Sequence, residues 1–268
     1  MSHIGVVRRC CRLSPSRILT ALITSLFGVL IAPEASAGER APVFGRPGQI
    51  VFPEIMGIRS GVPSIFAGLN TGGPFPGDPL GSVGWGGVVG YNEYHGESES
   101  HQEGAEPWSQ QTGSRSIWAA PSMDVFVGRR ISIGASVGVL HFAQAVQYPG
   151  GSVVSEGISI AASPRIGYLV PIAKGLSFWP RLSISAGYSH HSVDSADQYN
   201  YSRGVGRALS GGLELALVYQ PLQNLIFKVA PQINAGGASS ELTGALQSTY
   251  SEAAFVRVGG EATVGLAF

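Results

Sequence analysis

The chain lacks cysteine beyond its first few residues. Its only two cysteines, Cys10 and Cys11, lie at the start of a basic and apolar leader. A mature chain without cysteine cannot form disulfide bonds, so its stability must come from packing and hydrogen-bonded secondary structure alone. No apolar run long enough for a membrane-spanning helix, about 18 residues, follows the leader. If the mature chain crosses a bilayer, it must do so as a closed barrel of strands.

The chain also lacks a surplus of positive charge. Arg8, Arg9, Arg12, Arg17 and Glu34 fall in the leader, so 13 basic and 16 acidic residues remain, a net charge of −3. No basic run remains either, and we therefore predict no nucleic-acid partner. P-loop, nucleophile-elbow, EF-hand and HExxH spacings are all missing from the sequence. We accordingly predict neither a metal site nor a cofactor.

The leader has the pattern of an export signal. Arginines precede an apolar run at 18–32, and Ala35-Ser36-Ala37 follows it as a small-residue cleavage site. We expect residues 1–37 to be a cleaved signal peptide, with an uncleaved anchor helix as the alternative. Residues 38–47 would then form a short periplasmic segment, and residues 48–268 a single domain.

The C-terminal residues alternate in character. From 254 to 268 the even-numbered positions are apolar or small, whereas the odd-numbered positions include Arg257 and Glu261. A period of two predicts a β-strand with one apolar and one polar face. The pattern ends on Phe268, and in this it resembles the closing strand of bacterial outer-membrane β-barrels. The resemblance implies that Phe268 is an assembly signal, with the barrel-assembly machinery and periplasmic chaperones as partners during biogenesis.

Segments with the same alternation recur along the chain. Short turns near 129, 174 and 222 join some of them, and longer polar connections at about 147–156, 192–206 and 238–252 join the others. Short turns on one side and long loops on the other are typical of outer-membrane barrels. The predicted strands are 49–58, 117–128, 131–146, 158–172, 176–191, 208–220, 225–234 and 253–268.

We therefore predict an all-β fold, an antiparallel up-and-down transmembrane β-barrel of eight strands. Residues 59–114 would form a long first extracellular loop region. That region contains a plausible strand at 83–94, so a ten-stranded barrel is the alternative. The faces of the first strand are ambiguous, and we place Glu54 inward together with Phe52 and Met56.

The predicted inward face carries a balanced set of charges. Unpaired charges inside a narrow barrel would be costly, so balance favours a paired, hydrogen-bonded plug. Rings of a single sign would instead favour a narrow pore, which we keep as an alternative. The predicted interior charge network consists of Glu54, Asp124, Arg165, Arg181, Glu214, Lys228, Arg257 and Glu261.

The predicted outward face carries aromatic residues, several of them next to the short turns. This is where an interfacial aromatic girdle would lie in a membrane barrel. In a soluble β-sandwich, the alternative fold, the same side chains would be core residues. The predicted membrane-interface aromatics are Phe178, Tyr188, Tyr219, Phe227 and Phe268.

One predicted hairpin carries a more specific signal. Its strands read Ser163-Pro164-Arg165-Ile166-Gly167-Tyr168 and Leu176-Ser177-Phe178-Trp179-Pro180-Arg181-Leu182. This resembles a recurrent hairpin of small bacterial proteins of the "outer membrane β-barrel domain" kind, with the general architecture of OmpA/OmpX-type barrels. The resemblance implies location in the outer membrane of a Gram-negative bacterium, in contact with outer-membrane lipids and lipopolysaccharide. Most members with this hairpin have no assigned activity.

Two polar segments are candidate sites of other kinds. His190 and Ser192 share a strand face, as in outer-membrane lipid A deacylases, so a lipid-modifying hydrolase is a second alternative. Residues 92–107 hold several glutamates and two histidines, which we interpret as a solvated surface loop rather than a cation site. The function we expect is non-enzymatic: a barrel that displays loops for structure, adhesion or recognition of an unknown extracellular ligand.

Overall fold

The structure is a computed structural model that describes residues 44–60, 63–69, 83–100, 108–148, 151–195, 200–244 and 248–268. The predicted signal peptide, residues 1–37, lies outside the described residues.

Most of the described chain is β-strand. In that part of the chain, no helix is both long and apolar enough to span a membrane. A single 3₁₀ turn, Ser64–Phe66, follows the first strand. The strands are β1 (Ile50–Ser60), β2 (Val83–Gly86), β3 (Val89–Ser100), β4 (Trp108–Ala119), β5 (Ser122–Phe126), β6 (Ile131–Tyr148), β7 (Gly151–Tyr168), β8 (Val170–Ala173), β9 (Leu176–Ser195), β10 (Asn200–Leu222), β11 (Leu225–Gly244) and β12 (Ser248–Ala267).

Ten of these strands close into an antiparallel barrel. Around the ring the order is β1-β2-β3-β4-β6-β7-β9-β10-β11-β12, and β12 pairs with β1 to complete it. The short strands β5 and β8 are not counted in this order: β5 pairs with β1 and β6 at the short-turn end, and β8 pairs with β9. The prediction of eight strands is therefore wrong, and the alternative of ten is confirmed. The additional hairpin is β2-β3, inside the region predicted to be the first long loop.

The β2-β3 hairpin enters only one half of the barrel. The final residues of β1, Ile58–Ser60, pair with β2, whereas Ile50 and Val51 pair directly with β5. At the hairpin's turn, the Val88 amide donates to the Ile55 carbonyl at 3.3 Å, and the Val88 carbonyl accepts from Ala120 at 2.6 Å. The hairpin is thus a wedge between β1 and β4. It widens the end of the barrel that carries the longer connections (the loop end) relative to the end that carries the short turns.

Side chains alternate between the two surfaces of the barrel wall. Along β6, Ile133 and Val137 point outward and are more than half exposed, whereas Ser132 and Ser136 point inward and are buried. In β1 a bulge between Phe52 and Met56 sets three residues, 53–55, against the single residue Gly265 of β12. Glu54 points inward, but Phe52 and Met56 are 37 % and 68 % exposed and face outward, so their predicted orientation is wrong. The bulge turns Glu54 inward, out of step with the even-numbered residues on either side of it, which alternation alone cannot reveal.

On several strands the outward-facing residues change from apolar to polar at about the same height along the barrel axis. Going towards the loop end, apolar residues give way to His141 on β6, Glu156 on β7, His190 on β9, Arg207 on β10 and Glu252 on β12. Strand pairing places these positions within a few residues of one another in height. The barrel therefore has an apolar belt at the short-turn end and a polar extension at the loop end.

The wedge provides a test of the ten-stranded ring. A side chain at Gly90 would overlap the Trp118 ring and the carbonyl oxygen of Trp85. We expect Gly90→Val to destabilise the barrel by about 1–3 kcal/mol or more, because the hairpin could no longer lie against β4. Urea unfolding in detergent micelles would measure the loss.

The matched control is Gly211→Val on β10, where an added Cβ meets nothing within 4 Å. We expect that variant to fold like wild type. Equal stability of the two variants would contradict the position of the hairpin.

Candidate functional site: the barrel interior

Eight charged side chains meet in the middle of the barrel. They come from seven strands, and the alternation of each strand points them inward. We call this group the charge cluster. It contains four carboxylates and four cations and has no net charge: Glu54, Asp124, Glu214, Glu261, Arg59, Arg165, Arg181 and Lys228.

One side of the charge cluster is built on Asp124, which is fully buried. Arg165 binds it with two nitrogens, Nε to Oδ1 at 3.0 Å and Nη2 to Oδ2 at 2.5 Å. Arg165 also donates to the Ser136 hydroxyl at 2.9 Å. Such bidentate pairs are strong and fix the geometry of both groups. Gly134, the partner of Asp124 on β6, leaves the room that this carboxylate needs.

Arg181 links that side to the rest. It donates to Asp124 Oδ2 at 3.0 Å and to Glu54 Oε1 at 3.2 Å, and it also pairs with Glu214. Its guanidinium lies 4.6 Å from the centroid of the Trp179 ring. Only 2 % of Arg181 is exposed, so the cation depends on these partners in place of water.

Lys228 occupies the other side. Its ammonium donates to Glu54 Oε1 at 2.9 Å, to Glu214 Oε1 at 3.1 Å and to Glu261. Arg59 Nη2 completes this side, 3.1 Å from Glu261 Oε2. Oxygens of these three glutamates lie within 4.8 Å of one another, an arrangement that could ligate a cation. In this structure the ammonium of Lys228 supplies the positive charge among them.

The structure brings together seven of the eight residues predicted for the interior network. The guanidinium of the eighth, Arg257, donates to the carbonyl of Ser60 at 3.3 Å. Arg59 is the cation beside Glu261, and the sequence reasoning missed it. It lies beyond the predicted first strand, and regular alternation from an inward Glu54, five residues earlier, would place it on the outward face. Arg59 pairs in register with Glu261, which carries the opposite charge. This pairing could have pointed to Arg59 only if the register had been known.

An apolar layer fills the barrel below the charge cluster, at the short-turn end. Phe44 enters from the segment before β1 and packs edge-on against Phe126 at 5.4 Å and Trp179 at 5.5 Å between ring centroids. The Gly48 amide donates to the Phe126 carbonyl at 2.7 Å and fixes this segment. The other members of the layer are Val51, Leu169, Ala216, Val218, Ile226, Ala230 and Ala267.

A second apolar layer fills the barrel above the charge cluster. Residues 63–69 fold back into the interior after β1, and their side chains Ile65, Phe66 and Leu69 are buried. They pack against inward-facing residues of the wall, Trp118, Leu140 and Ala161. Two wall glycines make room: a Cβ at Gly138 would collide with Phe66, and one at Gly187 with Leu69. Side chains therefore occupy the interior of the barrel at three successive levels.

The space left between these levels is small. A cavity of about 30 Å³ lies between the charge cluster and the upper apolar layer, lined by Arg165, Arg181, Glu214 and Ser64 among others. A second, of about 10 Å³, lies beside Arg59 and Arg257. A water molecule needs roughly 10–15 Å³ on this measure, so the larger cavity holds one or two waters.

Four of the predicted interface aromatics lie on strands of the apolar belt, and Phe268 lies one residue beyond the end of β12. Tyr219 and Phe227 face each other across β10 and β11 near a short turn. Phe268 and Phe52 form an edge-to-face pair at 6.3 Å on the same rim. Phe178 lies opposite Leu217, also near this rim, whereas Tyr188 lies at the opposite edge of the belt, in register with Arg207.

The proposed hydrolase residues lie on the outside of the barrel wall. His190 is exposed, and the Ser192 hydroxyl donates to the backbone carbonyl of Glu156 at 3.5 Å. The Glu156 carboxylate is bound to His141 at 2.9 Å. These contacts engage Ser192 and the Glu156 carboxylate with groups other than His190. In the acidic segment 92–107, Glu93 contacts Tyr91 and His95, while residues 101–107 lie outside the described residues.

No protein-family model matches the chain, and no curated protein matches it. Among solved structures it is similar to the outer membrane protein OprG from Pseudomonas aeruginosa, with 10 % identity, TM-score 0.48, 85 % of this chain and 99 % of that chain covered. It is also similar to the ferric yersiniabactin uptake receptor FyuA from Yersinia pestis, with 9 % identity and TM-score 0.33; that match covers 82 % of this chain and 44 % of the receptor.

The architecture itself is that of a small outer-membrane β-barrel protein. The described strands form a closed ring, with β12 paired to β1, as a bilayer requires. Its belt is apolar outward, and its buried charges point inward. This is the reverse of the arrangement in a soluble barrel.

Removal of Lys228 tests the energetic role of the charge cluster. We expect Lys228→Met to lower the free energy of unfolding by about 3–5 kcal/mol, because three carboxylates would lose a shared cation in a buried site. Adding Glu261→Gln should recover part of this loss, since it removes one uncompensated charge.

Lys174→Met is the control, because Lys174 is exposed at a short turn. It should change stability by about 0.5 kcal/mol or less. Similar losses for Lys174→Met and Lys228→Met in denaturant titrations would show that the charge cluster is not a source of stability.

Proposed function

We propose that this protein is a closed, non-conducting and non-enzymatic barrel of the Gram-negative outer membrane. Its loop end would serve a structural, adhesive or recognition role towards an extracellular ligand. The observation that carries this proposal is the filling of the interior at three levels. The N-terminal segment, the charge cluster and residues 63–69 each block the axis of the barrel.

A narrow pore would need different chemistry. Selective channels are lined by carbonyls, by charges of one sign or by a gated constriction along a continuous water path. Here the interior charges balance, each carboxylate contacts at least one cation, and apolar side chains lie on both sides of the charge cluster. The two cavities beside the charge cluster, of about 30 and 10 Å³, have room for one or two waters at most. These features favour a plug over a conduit.

The loop end is long enough to present a surface. β10 has 23 residues. At about 3.3 Å per residue and a tilt near 45° it rises about 50 Å, whereas the apolar band of such barrels is about 25 Å tall. About 25 Å of paired strand would project beyond the membrane. An extension so firmly paired is a suitable support for loops that contact a ligand, and the apolar belt would contact outer-membrane lipids and lipopolysaccharide.

Electrical recording tests the closed interior. We expect the protein reconstituted in planar bilayers to give no steady conductance at voltages where a general diffusion porin conducts. The double variant Phe66→Ala/Leu69→Ala should also remain closed, because the charge cluster and the lower apolar layer still block the axis. Steady ion-selective currents from the wild-type protein would favour the narrow pore and contradict the proposal.

Location is tested separately. We expect the full chain, expressed in a Gram-negative host, to sediment with the outer-membrane fraction and to migrate differently in detergent gels before and after boiling, as closed barrels do. Recovery in the soluble periplasm would overturn the membrane placement whatever the conductance result.

A further inference from the structure

A groove runs along the outside of the barrel wall at the loop-end edge of the apolar belt. It has a volume of about 490 Å³ and lies over β11, between β10 and β12. Leu209 walls it on one side and Ala254 on the other, with Gly237 at its floor. Leu209 is 61 % exposed, so its side chain projects from the wall. The groove is separate from the barrel interior, and in the membrane placement proposed above it opens into the outer leaflet.

The groove exists because the central strand presents little bulk there. The outward-facing residues of β11 at this height are Ala235, Gly237 and Ser239. A Cβ at Gly237 would meet nothing closer than the Ala253 carbonyl oxygen at 3.9 Å. At about 3.4 Å per residue, positions 235–239 span roughly 13 Å, which accommodates part of an acyl chain lying along the wall.

A cation and a carboxylate flank the upper end of this groove. Arg207 pairs in register with Ser239, and Ser239 pairs with Glu252, so the three residues form one row across β10, β11 and β12. Arg207 and Glu252 are both exposed, and at two strand spacings they lie about 10 Å apart. The row lies where the apolar side chains end, which is the level of the lipid headgroups. An exposed guanidinium at this level suits a phosphate, which it can bind through two N–H groups.

An aromatic ring lies beside the carboxylate of this row. The Tyr250 hydroxyl donates to one oxygen of Glu252 at 2.5 Å, and the second oxygen can accept a further hydrogen bond. Tyr250 is 64 % exposed, so its ring presents an apolar face beside a polar group. A carboxylate next to an exposed ring suits a sugar, because sugar hydroxyls donate to the carboxylate while the C–H face of the sugar packs on the ring.

We propose that this groove binds one molecule of lipopolysaccharide through its lipid A part. An acyl chain lies over Gly237, and the Arg207 guanidinium binds a phosphate of the headgroup. A sugar hydroxyl donates to the second oxygen of Glu252, and the sugar packs against the Tyr250 ring. An acylated and phosphorylated sugar matches the apolar, cationic and sugar-binding parts of the site at once. Lipopolysaccharide has this chemistry, and it is the lipid of the leaflet into which the groove opens.

The inference rests on the membrane placement proposed above and assigns one defined site within the lipid contact proposed there. The folded protein, in detergent, is titrated with lipopolysaccharide truncated to lipid A and the inner sugars, with the same molecule after phosphatase treatment, or with phosphatidylglycerol. Native mass spectrometry counts the lipids retained. The dephosphorylated form keeps the sugars and acyl chains, whereas phosphatidylglycerol keeps a phosphate and acyl chains but has no sugar. We expect the wild-type protein to retain one phosphorylated lipopolysaccharide in preference to either.

Variants assign each contact to its residue. Arg207→Gln should weaken binding of the phosphorylated form about fivefold, a loss of about 1 kcal/mol, and leave binding of the dephosphorylated form unchanged. Glu252→Gln should weaken binding of both forms, because both carry sugar hydroxyls. Gly237→Leu should abolish retention by filling the groove, and the open space around this position allows the variant to fold.

Matched controls lie elsewhere on the barrel wall. Arg115→Gln removes an exposed arginine from β4, and Gly260→Leu adds a side chain where a Cβ makes only ordinary contacts. Both variants should retain lipopolysaccharide like wild type. Equal losses for Arg115→Gln and Arg207→Gln would show a general attraction between positive charge and the lipid, and would overturn the site.

Other results would overturn the site without touching the membrane placement. One is a wild-type protein that sediments with the outer membrane but retains no lipopolysaccharide. Phosphatidylglycerol bound as tightly as lipopolysaccharide would mean that Arg207 attracts any anionic lipid. An unaffected Gly237→Leu variant would mean that the groove is only part of the general lipid contact. A wild-type dimer that Gly237→Leu converts to monomer would identify the groove as an interface between two copies.

Discussion

The structure depends on the neutrality of its buried charge cluster. Four carboxylates and four cations lie in a region that water barely reaches, and any of them alone would be expensive there. Arg181 and Lys228 each contact three acids, and Glu54 contacts four cations. A slip of one residue in a contributing strand would turn its charge outward into the apolar belt. The charge cluster therefore fixes the register of seven strands at once.

The need to pair every buried charge explains several irregular features of the barrel wall. The bulge in β1 allows Glu54 and Arg59, five residues apart, both to point inward and to reach partners on different strands. The wedge hairpin widens the loop end, where residues 63–69 then find room inside the wall. Glycines at 134 and 138 sit where the Asp124 carboxylate and the Phe66 ring approach the wall. Each irregularity accommodates a group in the interior.

The face of a strand on which a side chain lies was predictable from sequence, but the pairing between distant segments was not. Alternation placed Asp124, Arg181 and Lys228 on the inward face correctly, because a side chain's face in a regular strand depends only on its neighbours in sequence. The hairpin β2-β3 was predicted only as one plausible strand at 83–94, because β2 has four residues, two of them glycine, and so shows almost no pattern. Arg59 escaped because the bulge sets Glu54 out of step with its strand, so alternation from Glu54 points Arg59 outward. The buried Phe66 escaped because a reversal of the chain after β1 brings it into the interior.

The outer surface of the barrel consists of the apolar belt and of the strands that continue beyond it towards the loop end. These two surfaces meet at the row formed by Arg207, Ser239 and Glu252, where apolar side chains stop and charges begin. Because the charge cluster holds β10, β11 and β12 in register, it also sets the spacing of that row. The paired charges inside the barrel thus also fix the positions of the charged residues on its outer surface.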